Sequence, residues 1–333
     1  MRGANPYVRD DSPFEDSLRP SSFDEFIGQR PCVRNLSIAI QAARKRKEPL
    51  DHILFSGLPG LGKTTLARII AHEMRAPLVV TAGPVLKRPG DLAGTLTKLE
   101  DGGILFIDEV HRMLPDVEEF LYTAMEDFFI TINVDSGPNG RTINLPLRRF
   151  TLIGATTREG LLSEPFRARF GILQKLEWYP VEDLVKVLHR SAKILAVAID
   201  DESSRMIAER SRGTPRIANR YLRRVRDLAE VKAKGRITKP VALEGLGMLG
   251  VDEAGLEEMD RKILRTLVAN PDSPVGLKML SVAVGEEEQT IEEVYEPYLI
   301  QNHFLVRTPR GRKATEKAVK HFGVEQGRQA TLF

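Results

Sequence analysis

The segment "GLPGLGKTT", residues 57–65, carries the spacing G-x-x-x-x-G-K-[ST] through Gly57, Gly62, Lys63 and Thr64. Glycines let backbone N–H groups close around phosphate oxygens that a Cβ would hold away. Lys63 would supply charge to the β- and γ-phosphates of a nucleoside triphosphate, and Thr64 would offer its hydroxyl to Mg²⁺. Further along, "ILFIDE" ends a run of apolar residues on Asp108 and Glu109. In an open α/β sheet that is the carboxyl end of a strand, where ligands bind. Asp108 would hold Mg²⁺ through water and Glu109 would polarise the attacking water. A second buried run, "FTLIGATTR", carries Thr156 and Thr157 at its tip, where a hydroxyl could orient water or simply cap the next helix. "EPFRARFG" offers Arg167 and Arg169, and "GTPR" offers Arg216. An arginine that reaches a transferring phosphoryl group is worth roughly 10³–10⁵ in rate, although a lone surface arginine more often pairs with a carboxylate.

The phosphate loop has the context it needs. It follows the strand-like "HILFS" and precedes the helical "TLARIIAHEM". An amphipathic helix is expected over 31–47, ended by Pro49. From there "HILFSG", "PLVVTAG", "GGILFIDE" and "RRFTLIGATTR" alternate with amphipathic stretches, the pattern of buried parallel strands with helices between them. The fold class is therefore α/β to about residue 180. Within it "ITINVDSGPNGRTINLPL", about 130–147, reads as a hairpin around "SGPNG". Residues 181–254 have helical periodicity and no strand-like run. Asp200 or Asp201 can cap one helix, Gly213 can close it, and Thr214-Pro215 can start the next. Residues 255–333 read as three short helices, then "FLVRT", a turn "PRGR" and "KATEKAVKHFG", the layout of a winged helix. Residues 1–17 read as a loose tail.

The chain has 333 residues, 42% hydrophobic and 29% charged, which is a soluble globular composition with room for several cores. Its net charge of +3 is small, so nucleic-acid binding would need local clustering. The segment 303–323 provides it: Arg307, Arg310, Arg312, Lys313, Lys317 and Lys320 face only Glu316. Beside a nucleotide-driven core, this basic wing is expected to grip phosphates without reading bases, with Arg307, Arg310 and Arg312 projecting toward them. One cysteine, Cys32, excludes an internal disulfide, and no apolar run reaches membrane-spanning length, so a cytoplasmic protein is expected. His111 is expected at the surface rather than on a metal, for want of a second ligand at suitable spacing. Trp178 and the methionines are expected in the core, and "RRVRDLAEVKAKGR" on a solvated helix face.

Together the phosphate loop, the Asp-Glu strand, the polar strand tip, the "RF" arginine and the "GTPR" arginine resemble the AAA+ ATPases. "LRPSSFDEFIGQ", "GLPGLGKTTLA", "LFIDEVHR", "FTLIGATTR", "RARFGI", "GTPRIANR" and "RTPRGR" are similar to the bacterial branch-migration motors of that family, over roughly residues 18–323. Leu58 departs from the pattern, standing where a proline is usual. The resemblance implies an AAA+ P-loop ATPase core (18–180), a helical lid (181–254) and a C-terminal winged-helix domain. It implies ATP and Mg²⁺ as cofactors. Leu18, Arg19 and Tyr179 would border the adenine; Gly60, Gly62, Lys63, Thr64 and Thr65 would hold phosphates and, with Asp108, the metal. Thr157 matches sensor 1, Arg216 matches sensor 2, and Arg169 matches the arginine finger acting on a neighbouring subunit's nucleotide. Glu126, Asp127 and Phe128 align with a segment near the nucleotide. The implied partners are double-stranded DNA at Holliday junctions, RuvA through the 130–147 hairpin, RuvC, and further copies of the chain in a hexameric ring. A clamp-loader subunit shares the core and lid but usually lacks the wing and carries "SRC" at its finger. A transcription factor on an inert nucleotide fold is opposed by intact Lys63, Asp108 and Glu109.

Overall fold

The computed structural model describes residues 13–133, 142–269 and 273–329. They divide at the Tyr179–Pro180 junction into two compact units.

The first unit is built on five parallel strands in the order β2-β3-β6-β1-β7, with β1 Ile53–Ser56, β2 Leu78–Ala82, β3 Ile104–Asp108, β6 Thr151–Thr156 and β7 Ile172–Lys175. The three central strands are buried almost throughout, as their unbroken apolar runs require when helices cover both faces. Each such Leu, Ile or Phe contributes about 1.5–3 kcal/mol on leaving water. Space is tight: a Cβ at Gly154 of β6 would stand 3.2 Å from Leu54 and 3.3 Å from Phe170. His52, just before β1, locks the sheet from below. Its Nδ1 accepts the Leu152 N–H at 2.9 Å, which requires a neutral ring, and burial holds its pKa below the ordinary value. β4 (Phe129–Asn133) and β5 (Thr142–Pro146) pair antiparallel as the sequence pattern implies, while the turn joining them lies outside the described residues.

Two expectations change here. The helix of 31–47 is found as Arg30–Arg46, with Lys47 in the left-handed region closing it. Residues Pro13–Leu18 are helical rather than loose, with Asp16 paired to Arg19 at 3.0 Å.

The second unit begins with the helices Val181–Ile194, Asp201–Arg210, Pro215–Lys232 and Lys239–Met248. Asp200 caps the second by accepting the Ser203 N–H at 2.7 Å, and Pro215 opens the third. A two-residue parallel pair, β8 (Ala198–Ile199) with β9 (Arg236–Ile237), interrupts the all-helical expectation. The basic run after Arg223 is laced with ion pairs to Asp227, Glu230 and Glu244, as a solvated helix face should be. Trp178, in the first unit, is only partly buried, and Met248 and Met279 are 74% and 70% exposed, so the assignment of the methionines to the core holds only for others such as Met113 and Met125.

Residues from 255 onward continue the same unit. Glu258–Val268 and Leu277–Val284 are the first two winged-helix helices. The third runs through Glu288–Thr290, a π-helical turn at Ile291–Tyr295 and Glu296–Gln301. β10 (Leu305–Thr308) and β11 (Gly311–Ala314) form the wing. β11 also bonds Val275 through both backbone groups of Arg312 at 2.8 Å. Gly311 permits that approach, since a Cβ there would fall 2.4 Å from the Val275 carbonyl oxygen. Deep in the unit, Arg212 is clasped by Asp260 and reaches the Gly255 carbonyl at 3.2 Å, with Arg220 and Tyr221 on Glu257 nearby. Burial pushes the Asp260 carboxyl up to about 6, against the pull of the Arg212 charge.

Candidate active site

The strand order brings the chemistry together. β6 lies between β3 and β1, with Ile107 beside Gly154 and Ser56 beside Thr156. The loop after β1, Asp108 and Glu109 after β3, and Thr156 and Thr157 at the end of β6 therefore share one edge of the sheet. This is the carboxyl edge, the place where open α/β sheets hold ligands.

Gly57 turns out of β1 at φ 141°, and Gly62 enters the helix Lys63–Met74 at φ 105°. A Cβ at Gly57 would lie 2.7 Å from the Leu176 carbonyl oxygen, so only glycine lets the loop curl there. The first N–H groups of a helix have no acceptor within it, and its dipole favours an anion at this end. Lys63, 7% exposed, folds its Nζ back onto the carbonyls of Gly57 at 2.5 Å and Leu58 at 2.9 Å. A glycine-lined cradle with an ammonium inside it fits a triphosphate. Thr64 follows Lys63 at the helix start. No group of three His, Cys, Asp or Glu among the described residues could hold a metal unaided, so a Mg²⁺ here fits Thr64 and Asp108 only together with phosphate oxygens and water.

The loop is braced by the segment "LRPSSFDEFIGQ", residues 18–29. Leu18 is buried, and the chain then runs past Phe26, Gly28 and Gln29. Gln29 clamps Glu177 through both backbone groups, its Nε2 donating to the carbonyl at 2.6 Å and its Oε1 accepting the N–H at 3.1 Å. The Tyr179 hydroxyl donates to the Leu61 carbonyl at 3.3 Å, and a Cβ at Gly28 would strike the Tyr179 ring at 2.5 Å. Phe26 comes within 3.1 Å of where a Cβ on Gly62 would stand. Leu18, Arg19 and Tyr179 thus stand on chain segments that flank the loop, and Phe26, Gly28 and Gln29 join them. In the sequence the segment is marked by the family likeness of "LRPSSFDEFIGQ", while the contacts of Phe26, Gly28 and Gln29 are not.

Asp108 accepts the Glu109 N–H at 2.9 Å, and Glu109 itself sits in the left-handed region at φ 55°. The Thr157 hydroxyl donates to Glu109 Oε2 at 3.4 Å, so the expected sensor and the expected base are neighbours. His111 is not at the surface. Its side chain is 2% exposed, with Nδ1 2.9 Å from the Thr156 hydroxyl and Nε2 3.4 Å from Glu109 Oε2. Its partner on β6 is distant in sequence, so spacing along the chain gives no sign of the contact.

Arg169 follows the short helix Glu164–Ala168, which Ser163 caps. Its Nη2 meets the Tyr122 hydroxyl at 2.5 Å and Glu126 Oε2 at 2.5 Å, with the guanidinium 4.6 Å above the Tyr122 ring. The Tyr122 hydrogen bond foremost, and the Glu126 charge, raise its pKa. Glu126 is thereby brought to Arg169. Asp127 ends the helix Pro115–Asp127, and Phe128 packs edge-on against Phe150 at 5.8 Å. In the second unit Arg216 stands in the first turn of Pro215–Lys232.

The wing differs from expectation. Arg310 is exposed at the turn, but Arg312 is turned inward, its side chain 13% exposed. Arg312 donates to Glu296 Oε1 from Nε at 2.7 Å and to Glu292 Oε1 from Nη2 at 2.7 Å. Arg307, opposite it on β10, donates to Glu296 Oε2 from Nε at 2.6 Å. Two arginines paired across a ladder would repel, and the fully buried Glu296 carboxylate between them removes the repulsion. Partial burial works against the Arg312 charge, and the two glutamates outweigh it, raising its pKa.

Three family models cover the chain: the Holliday junction DNA helicase RuvB P-loop domain over residues 18–176, the RuvB AAA lid domain over 179–252, and the RuvB C-terminal winged helix domain over 253–323. The chain belongs to the RuvB family. RuvB relatives include the Holliday junction branch migration complex subunit RuvB of Methanoregula boonei, 55% identical over 100% of this chain and 99% of that protein. The subunit of the same name from Flavobacterium johnsoniae is 55% identical over 95% of this chain and 94% of that one. Among solved structures, the Thermotoga maritima RuvB Holliday junction branch migration motor superposes with a TM-score of 0.84 at 50% identity, covering 92% of this chain and 98% of that chain. The RuvB architecture is thus a P-loop core on a parallel sheet, a helical lid and a winged helix.

Proposed function

We propose that this chain is the ATP-driven motor of Holliday-junction branch migration, moving duplex DNA with RuvA on the junction and RuvC in the resolving complex. One observation carries the reading. The phosphate loop, the Asp108–Glu109 pair and Thr157 gather on one sheet edge in a chain that matches the RuvB domains over residues 18–323.

Lys63 turns from the loop carbonyls to the β- and γ-phosphates when ATP enters, and the helix N–H groups hold the remaining oxygens. Thr64 and Asp108 would hold Mg²⁺ together with phosphate oxygens, and the metal would supply charge neutralisation for phosphoryl transfer. Glu109 orients the attacking water, and Thr157 steadies Glu109. Leu18, Arg19 and Tyr179 flank the base. Arg169 and its partner Glu126 serve the next copy's nucleotide in a hexameric ring, and Arg216 is the sensor 2 arginine. The 130–147 hairpin docks RuvA. DNA is held through the wing's outward cations, Arg310 first, without base readout. Among the described residues no helix is long and apolar enough to cross a membrane, and the cytoplasm is the proposed location.

A mixing experiment tests the shared site. Lys63→Ala and Arg169→Ala copies are each expected to be inert. Combined, they form some seams with an intact loop on one side and an intact arginine on the other, and turnover should return. Inert mixtures that still assemble into rings would refute a site completed by a neighbour.

A further inference from the structure

The Thr156 hydroxyl on β6 accepts the Arg158 N–H at 3.0 Å and lies 2.9 Å from His111 Nδ1. It is fully buried. A hydroxyl that accepts the Arg158 N–H can donate to Nδ1, and the Glu109 carboxylate facing Nε2 favours that tautomer, with the imidazole proton on Nε2. Nε2 stands 3.4 Å from Glu109 Oε2, the same oxygen that Thr157 Oγ1 approaches at 3.4 Å. Thr157 thus donates to one oxygen of the expected base, and His111 Nε2 faces the same oxygen from a different element without closing a hydrogen bond to it. The backbone beneath is equally constrained. Glu109 holds φ 55°, and Gly83 comes so close that a Cβ there would stand 2.3 Å from the Glu109 carbonyl oxygen.

From this we infer that His111 is a positioning residue for ATP hydrolysis: with Thr157 it tethers Oε2 and thereby sets the plane in which Glu109 meets the attacking water. The inference rests on the ATPase reading above and names a residue that reading does not use. Both contacts are longer than the 2.7–2.9 Å of a closed charge-assisted bond, about what an unloaded site shows before substrate draws it together. A histidine here also ties the base to β6. Movement of that strand's tip, where Thr157 sits, would reach Glu109 through the Thr156 hydroxyl and the imidazole.

Full-length protein with duplex DNA gives the test, by single-turnover hydrolysis of labelled ATP and binding of a fluorescent ADP. His111→Phe keeps the buried ring and removes both nitrogens. It should lower kcat roughly 10- to 100-fold with KM and ADP affinity within about twofold, because positioning is lost and phosphate binding is not. His111→Gln can place an N–H near the Nε2 position and should recover more rate than His111→Asn, which reaches only Thr156. In a Glu109→Gln background the His111→Phe change should cost less than about twofold further. Equal losses in both backgrounds, or His111→Phe turnover within twofold of wild type, overturn the inference. If His111→Phe does not fold, the order of the Gln and Asn variants decides it, and Asn equal to or above Gln refutes the tether. A wild-type chain that hydrolyses no ATP would instead refute the ATPase reading, so the two failures are distinct.

Discussion

Replacing Arg312 with alanine removes two hydrogen-bonded charge contacts from beneath the wing and leaves Glu296, 0% exposed, with Arg307 as its remaining wing partner. Breaking a buried ion pair costs about 3–5 kcal/mol because the surviving charge stays out of water. Arg307 still reaches Glu296 but is 48% exposed, and a solvated partner compensates only partly, so the cost is placed at about 2–3 kcal/mol. In a unit of about 150 residues each kcal/mol moves Tm by about 2–4 °C, giving a loss of about 4–12 °C. Arg310, two positions earlier, is exposed at the turn, and Arg310→Ala should leave stability within about 0.5 kcal/mol. It should instead weaken duplex binding equally across sequences and reduce the salt slope by about one. Thermal melts and fluorescence anisotropy on labelled duplex, from about 50 to 200 mM salt, separate the two. If Arg312→Ala melts like wild type and loses salt slope as Arg310→Ala does, the inward assignment of Arg312 is wrong.

Two further outcomes follow from buried titratable groups. His52 is held neutral with a lowered pKa, so below about pH 6.5 the unfolded chain takes a proton that the folded one refuses. Stability therefore falls as the pH drops through that window, by at most about 1.4 kcal/mol for each pH unit, the slope of a single proton. His52→Asn can still accept the Leu152 N–H through Oδ1 and should flatten the decline in Tm between about pH 7.5 and 5.5; an unchanged slope would exclude His52 as its source. Arg212→Ala strands the Asp260 carboxylate, 0% exposed, and should cost about 3–5 kcal/mol in a denaturant melt, much of it recovered by the Arg212→Met, Asp260→Leu pair. A single variant within about 1 kcal/mol of wild type would show that the clasp is not worth what its burial implies.

The phosphate loop was legible because its chemistry is contiguous: Gly57, Gly62, Lys63 and Thr64 lie in one turn, between a strand and a helix that each announce themselves. The parallel sheet was legible for a similar reason, since "ILFID" and "TLIGAT" can be buried only between two layers. What escaped was assembled across sequence distance. His111 became part of the site through Thr156, 45 residues away along the chain. Arg312 looked like another outward cation because Glu292 and Glu296, one helical turn apart, are read on a helix and not under a wing. The cross-strand pairing of Arg307 with Arg312 is the signal that would have revealed them, since like charges placed opposite each other need a carboxylate between. Gly28 and Gln29 stood in the family-like stretch "LRPSSFDEFIGQ", but their contacts did not show, for their partners Glu177 and Tyr179 lie at the far end of the unit.

Strand displacement on a synthetic four-way junction loaded with RuvA measures the proposed motor as a whole. Wild-type chain with ATP and Mg²⁺ should resolve the junction into two duplexes. Glu109→Gln should bind ATP and the junction yet leave the branch point where it started. A branch point that migrates as fast with Glu109→Gln as with wild type would mean that the sheet-edge site does not drive the movement.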